Sequence, residues 1–413
     1  MKFALVSHAL PPTWSGQAMV LRRLLEGLSG DRYCLISTED YETGEGAKGY
    51  TRKLPGRYYR LPPEPRLNRG HRFGIKFLRE ALNAVPGVLL RARRIARILR
   101  REGCEAVVAC TGGLLDLPSA YAASRMAGVP FYAYVFDYYA YQFVVAEEQF
   151  IARFFEPFLM KGARGVIVPN EILRDELRRR YGVESTVIHN PFEISDYEAL
   201  PVAPTRSAGG EVRITYTGAV YEAHFDAFRN LVAAIESLNR PDVKLHLYTA
   251  LQPSYLAGQG IRGPVVFHEH RAASEMPRIQ READVLFLPL AFKSPYPELV
   301  RTSAPGKLAE YLAARRPVLV HAPPRSFVSW YFRRHECGMV VDEPDVSKLA
   351  RAIEEILGDD ALRERLGERA WRQATTDFGV GKARAAFAGL LKLNGGDVSS
   401  PREESALQAG MRS

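Results

Sequence analysis

Residues 303–320 read SAPGKLAEYLAARRPVLV. Proline, glycine and lysine stand at the mouth of one helix, and a carboxylate, Glu310, follows Lys307 by three residues. A helix N-terminus presents unpaired N–H groups and a partial positive charge, which suits a phosphate. Ser303 can cap such a helix, Pro305 fits its first turn, and Gly306 lets a ligand approach the backbone closely. Lys307 adds a full positive charge in that turn, and Glu310 lies on the same helical face. A carboxylate that accepts from two vicinal hydroxyls holds a ribose. Diphosphate at the mouth and ribose one turn in is therefore one reading. A capped helix with a Lys–Glu surface pair is the other, and spacing alone does not separate them.

Fewer residues elsewhere carry chemistry. His268 and His270 in HEH (268–270) share a strand face, but no third ligand is near in sequence. That is weak evidence for a metal, and ordinary strand residues beside a nucleotide base are the better reading. Asp137 closes the strand-like run PFYAYVFD (130–137) and could cap the next helix. The four cysteines are scattered with no CxxC pair. That excludes a thiolate zinc site and a disulfide framework, and fits a reducing compartment.

The elements that must position these residues alternate between strand-like and helix-like. FALVSH, YCLIST, EAVVAC, PFYAYVFD, GVIVPN and TVIHNP read as strands. Between them lie helical runs such as MVLRRLLEGL and EILRDELRRRYG. Residues 39–74 read as irregular, and 75–103 as one or two helices interrupted at Pro86-Gly87. Such β-α alternation predicts a parallel sheet with helices on both faces. Pro, Ala, Gly and Ser then loosen the chain at 198–211, and the alternation restarts with VRITYTGAV (212–220). The expected fold class is α/β, with two doubly wound Rossmann-like domains facing across a cleft. The expected boundaries are 1–195, a linker at 196–211, 212–380, a terminal helix at 381–393 and a disordered tail at 394–413. A ligand would lie in the cleft, at the carboxyl ends of the strands.

Charge is uneven. From Arg52 to Arg101 fifteen Lys/Arg face only Glu64 and Glu80, so this segment carries +13 of a net +9 and the remainder −4. A cluster of this size favours an anionic partner. One reading of the segment is an ordinary solvated amphipathic helix. Another is contact with anionic lipid, with Phe73, Phe77, Leu78, Leu89 and Leu90 available to insert. A third is a groove for a pyrophosphate-bearing acceptor. No nucleic-acid-binding module is recognisable. The N-terminus lacks a signal peptide's apolar region, and no apolar run reaches the ~18–20 residues that span a bilayer. A cytoplasmic protein, peripheral on the inner face of a membrane, is the expectation.

The order of motifs carries a family resemblance. ADVLFLPL, then SAPGKLAEYLAARRPVLV, then ECGMVVDEPDVSKLARAIEEIL resembles the donor-binding half of the family-4-type retaining glycosyltransferases, which have the GT-B fold. HNPF (189–192) resembles the family's Asn-Gly/Pro-Val/Phe-Asp element, and ITYTGAV (214–220) the strand end that opens its second domain. PPTWSGQA (11–18), with Gly16, resembles the glycine loop that faces the donor phosphates. The resemblance is dense from about residue 162 to 378 and continuous but weaker before it. Three departures stand out. Thr302 occupies the place where members often carry a glutamate. GAVYEAHFDAF (218–228) lacks the Arg and Lys that grip the diphosphate after Gly218, leaving Tyr221, Glu222 and His224 as polar groups. Phe136 replaces the histidine before Asp137.

The resemblance implies transfer of a sugar from a nucleoside-diphosphate-sugar to an acceptor hydroxyl, with retention and without a metal or other cofactor. It implies Asp137 as the catalytic candidate on the acceptor side. Donor contacts would come from Gly16, Gly218, Arg301, Thr302, Ser303, Gly306, Lys307 and Glu310. The acceptor would be a glycan or lipid-linked glycan. The alternatives are a degenerate GT-B scaffold protein at the membrane, an inverting transferase, or a sugar-nucleotide epimerase.

Overall fold

The computed structural model describes residues 1–13, 15–41, 53–63, 75–201, 210–269 and 271–393, with side chains in the helix from 75 described from residue 83 onward. The chain divides into two compact units. One comprises Met1–His189 with the chain from Gly381, and the other Asn190–Val380.

The first unit is built on seven strands: β1 (Phe3–Val6), β2 (Tyr33–Ser37), β3 (Arg57–Arg60), β4 (Ala106–Cys110), β5 (Phe131–Tyr134), β6 (Gly165–Val168) and β7 (Ser185–Val187). Their order is β3-β2-β1-β4-β5-β6-β7, and every pair is parallel. β1 shows why its sequence runs apolar without interruption. Ala4 and Val6 pack into the core on one face, Phe3 and Leu5 into the core on the other. A strand buried on both faces has no polar side to display. The helix Val380–Leu390 belongs to this unit: Phe387 meets the Phe3 ring edge-on at 5.9 Å, and Arg384 donates to the Arg23 carbonyl.

The second unit has six strands: β8 (Val212–Thr217), β9 (Val243–Tyr248), β10 (Val265–His268), β11 (Val285–Pro289), β12 (Val318–His321) and β13 (Met339–Val341). Their order is β10-β9-β8-β11-β12-β13, again all parallel. In both sheets the winding reverses beside the first strand, between β1 and β4 and between β8 and β11. Loops leaving the carboxyl ends there diverge, which opens a crevice for ligands.

Two local readings are corrected. The chain from Ile75 to Glu102, read as one or two helices, is one helix that runs through Pro86-Gly87 without the expected interruption. Ala92, Ile95, Ala96 and Leu99 bury its inner face, and that burial outweighs the one backbone bond proline removes. RYYR (57–60), read as irregular, is strand β3. It is an edge strand, paired only to β2, and its arginines point to solvent. All four cysteines are free and buried. Among the described residues no helix is long and apolar enough to cross a membrane. The tail 394–413, residues 202–209 of the expected linker, and residues 64–74 with Phe73 lie outside the described residues.

Candidate active site

In the second unit, β8 is followed directly by Gly218, whose φ is 115°. That angle strains any residue with a Cβ. A Cβ there would also lie 2.6 Å from Lys307 Cε. Strand end and lysine, far apart in sequence, therefore close on each other, and only glycine permits it. The ammonium sits 5.0 Å from the centroid of the Tyr216 ring, a cation–π contact. Lys307 makes no ion pair with Glu310 or any other carboxylate among the described residues. The surface-pair reading of the two residues is thus not what the fold adopts.

The helix that carries them is Gly306–Ala313, with Pro305 at its cap position and no side-chain cap. The expected cap by Ser303 is absent. Ser303 instead ends the preceding helix, Pro297–Thr302. A Cβ on Gly306 would meet nothing within 4 Å, so the helix mouth is open. Glu310 lies one turn in and is half-buried. Tyr311 anchors the helix beneath the sheet end, its hydroxyl accepting from the Thr217 N–H at 2.9 Å. Asn190, from the HNPF element, donates to the Ala304 carbonyl at 2.8 Å and fixes the loop leading into the helix. Ahead of that loop, Arg301 is half-buried. Thr302 is buried, and its hydroxyl donates back to the Glu298 carbonyl at 2.9 Å.

His224 departs from its expected role as a polar group on the phosphate side. It is buried against Tyr221 and Tyr216, and its Nδ1 has no hydrogen-bond partner. Burial, then the charge of Lys307, pushes its pKa down to about 3, so the ring is neutral. The loop after β11 is tied back to the start of the helix Phe225–Ser237, which follows β8. Asp226 accepts from the Phe292 and Lys293 N–H groups at 3.0 and 2.8 Å. The two loops at the reversal point are thereby held together.

At the far edge of this sheet, His268 stacks on Tyr248 at 4.0 Å with rings nearly parallel and bonds His246 at 3.0 Å. Burial lowers the pKa of both histidines, that of His246 to about 4. Among the described residues no three His, Cys, Asp or Glu converge to hold a metal; His270 lies outside them.

In the first unit, Gly16 opens the helix Gly16–Leu25 behind the cap Ser15, whose hydroxyl accepts from Ala18 at 3.1 Å. Gly16 is exposed, and a Cβ there would touch nothing. Thr111, at the end of β4, accepts from the backbone N–H groups of Phe136 and Asp137 at 2.9 and 3.2 Å. This turn holds Asp137 at the end of β5. Phe136, in the histidine's place, stacks on Tyr134 at 4.1 Å and joins the core. Asp137 caps no helix, since the next one, Ala146–Gly162, is preceded by Val145 without a side-chain cap. Its side chain is open to water, yet crowding by surrounding protein pushes its carboxyl up from the ordinary value. Water contact limits that effect.

A feature missed by the sequence reading lies in the same unit. A cavity of about 350 Å³ opens at the carboxyl ends of β1, β2 and β4, lined by His8, Asn83, Arg91, Gly112, Asp116 and Glu148, among others. Arg91 and Asp116 form a buried pair at 2.6 Å, and Asp116 Oδ2 has no partner. Burial raises the Asp116 pKa, and Arg91 opposes that shift. The signal available in sequence was the Thr-Gly-Gly run after β4, a turn at a sheet reversal point; Gly112 has φ 131°.

Comparison with known proteins agrees with this architecture. Residues 14–196 match the family model Glycosyltransferase Family 4, and residues 211–359 match Glycosyl transferases group 1. An alpha-D-kanosaminyltransferase of Streptomyces kanamyceticus is 24% identical over 91% of this chain and 98% of its own. Among solved structures, Anabaena Alr3699/HepE in complex with UDP matches at TM-score 0.66 and 15% identity, covering 95% of this chain and all of its own. Sucrose-phosphate synthase of Thermosynechococcus elongatus matches at TM-score 0.66 and 16% identity, over 95% and 98% of the two chains. Two parallel Rossmann-like sheets, the helix mouth beside Gly218 and both family matches lead to one assignment: the chain belongs to the family-4-type glycosyltransferases of the GT-B superfamily.

Proposed function

We propose that this glycosyltransferase takes its sugar from a nucleoside-diphosphate-sugar and passes it, with retention, to a hydroxyl of a glycan or lipid-linked glycan. The observation that carries the reading is Lys307 laid over Gly218, with no carboxylate among the described residues to neutralise it, at an open helix mouth. A diphosphate seated there would meet the ammonium, the first-turn N–H groups and the helix dipole. Arg301, Thr302 and Ser303 would border it. Glu310 would accept from the two ribose hydroxyls. HepE has been solved with UDP and with UDP-glucose, which supports a nucleotide of this class.

As the bond from the sugar to the diphosphate breaks, negative charge grows on the leaving oxygen. Lys307 and the helix N–H groups would stabilise that charge without a metal ion. The new bond would form from the acceptor oxygen to the same carbon, and the hydroxyl proton would pass to the leaving diphosphate oxygen. Asp137 would hold that hydroxyl by accepting its hydrogen bond. The polar cavity of the same unit, with donors on Arg91 and Asn83 and acceptors on Asp116 and Glu148, suits a hydroxylated ring. The basic run 52–101 would bring the first unit toward anionic lipid or a pyrophosphate-bearing acceptor.

The test is nucleotide release and sugar transfer by the purified protein with UDP-, GDP- and ADP-sugars, with and without a chelator. Turnover that survives chelation and falls at least a hundredfold in Glu310→Ala supports the reading. Failure of all three donors to bind or turn over, with Glu310→Ala unchanged, overturns it.

A further inference from the structure

The helix Ala146–Gly162 carries apolar side chains on two faces, with Glu147, Glu148, Arg153, Glu156 and Lys161 among them. One face, with Ile151, Ala152, Leu159 and Met160, is buried in the first unit. Its outer face carries phenylalanine at every fourth position. Phe150, Phe154 and Phe158 are 58%, 59% and 60% exposed, and Val144 and Val145 just before the helix are 74% and 49% exposed. A water-facing helix surface is normally polar. Three exposed phenylalanines on one stripe form a patch of the kind that marks an interaction site.

The neighbourhood selects the occupant. The helix Ile75–Glu102 packs on this one, and it too exposes large apolar side chains, Val85 and Leu89. Further along, the same helix presents Arg93, Arg97, Arg100 and Arg101 to solvent. The helix Glu171–Tyr181 also packs on it, but its last-turn Arg178, Arg179 and Arg180 are paired with Glu184 and Glu176. Arg153 and Lys161 stand on the stripe's own helix, Arg153 over the Tyr141 ring at 4.7 Å. Exposed aromatics packed beside one arginine-rich helix match a bilayer surface, where rings enter the acyl boundary and cations meet anionic headgroups.

We propose that the Phe150/Phe154/Phe158 stripe inserts into the surface of an anionic bilayer and docks the first unit there. This rests on the reading that the first unit's basic surface faces anionic lipid, and it assigns the apolar half of that contact to a helix outside the basic segment. Charge alone would give binding that salt abolishes; inserted rings leave a salt-resistant remainder.

The experiment uses full-length protein and vesicles of phosphatidylcholine alone or mixed with phosphatidylglycerol. The wild type should bind the mixed vesicles and retain part of that binding at about 1 M salt. Phe154→Ser/Phe158→Ser should lower the partition coefficient at least tenfold and remove the remainder. Both rings are exposed, so folding and donor hydrolysis should be unchanged. All native cysteines are buried, so a thiol-directed environment-sensitive dye can be placed by Phe158→Cys. Its emission should shift to the blue on vesicles. If the wild type binds and the double variant binds equally, with the dye still in water, the stripe does not insert while the basic-surface reading stands. If the wild type binds no vesicle, both fall. A dimer that the double substitution dissolves would give the stripe to a second copy and overturn the proposal.

Discussion

Alanine at position 218 would perturb the donor site through Lys307. Its Cβ would stand 2.6 Å from Lys307 Cε and 3.0 Å from Nζ, on a backbone with φ 115°. The backbone strain costs about 1–3 kcal/mol. In a unit of this size that lowers Tm by roughly 2–4 °C per kcal/mol. The clash itself is with the flexible end of a lysine, which can swing aside, and doing so takes the ammonium off the phosphate. A charge-assisted hydrogen bond is worth about 1.5–3 kcal/mol, so Kd for the preferred nucleotide among UDP, GDP and ADP should rise about 10- to 150-fold. Lys307→Ala should weaken binding to the same extent without lowering Tm. Both variants remove one interaction, so in the double variant the losses should not add. Calorimetric titration and a thermal melt read both quantities. Wild-type affinity in Gly218→Ala, or additive losses in the double variant, would refute the proposed phosphate site.

Further outcomes follow from other parts of the molecule. His224 titrates at about 3 when folded, so the unfolded chain takes up its proton first as pH falls below 6.5. Stability present at neutral pH is then lost on the way down, about 2 kcal/mol of it by pH 5. Urea denaturation of His224→Gln at pH 7.5 and 5 should show that part of the loss removed, with His246 still contributing its own. Arg91→Ala leaves Asp116 buried without its cation and should cost about 3–5 kcal/mol; Arg91→Met/Asp116→Leu should recover part of it, read by the same denaturation. Pro86→Ala restores a backbone donor inside a continuous helix and should stabilise the protein by about 1–3 kcal/mol.

The fold was legible where burial writes itself into sequence. Strands such as FALV, AVVAC and VLFLP are apolar at every position because helices cover both faces of the sheet. RYYR was not, because an edge strand with solvent-facing arginines carries no such run. Pro86 misled for the opposite reason: a local breaker was overruled by burial along the rest of the helix. Lys307 and Glu310 could be singled out from their places on one helix turn. What spacing could not give were partners brought together by topology. The Lys307–Gly218 contact, the Tyr311–Thr217 hydrogen bond across 94 positions and the Asn190 bond to Ala304 all arise that way. The cavity around Asp116 is the same kind of feature, since His8, Arg91 and Asp116 lie on separate segments. His224 looked like a phosphate contact by its type, and only burial removes it from that role.

The most direct measurement is an electron-density map of crystals soaked with the nucleotide-sugar that binds best. The account predicts diphosphate oxygens within hydrogen-bond distance of Lys307 Nζ and the N–H groups at Gly306 and Lys307, with both ribose hydroxyls on Glu310. A nucleotide bound elsewhere, or one whose ribose leaves Glu310 untouched, would contradict it.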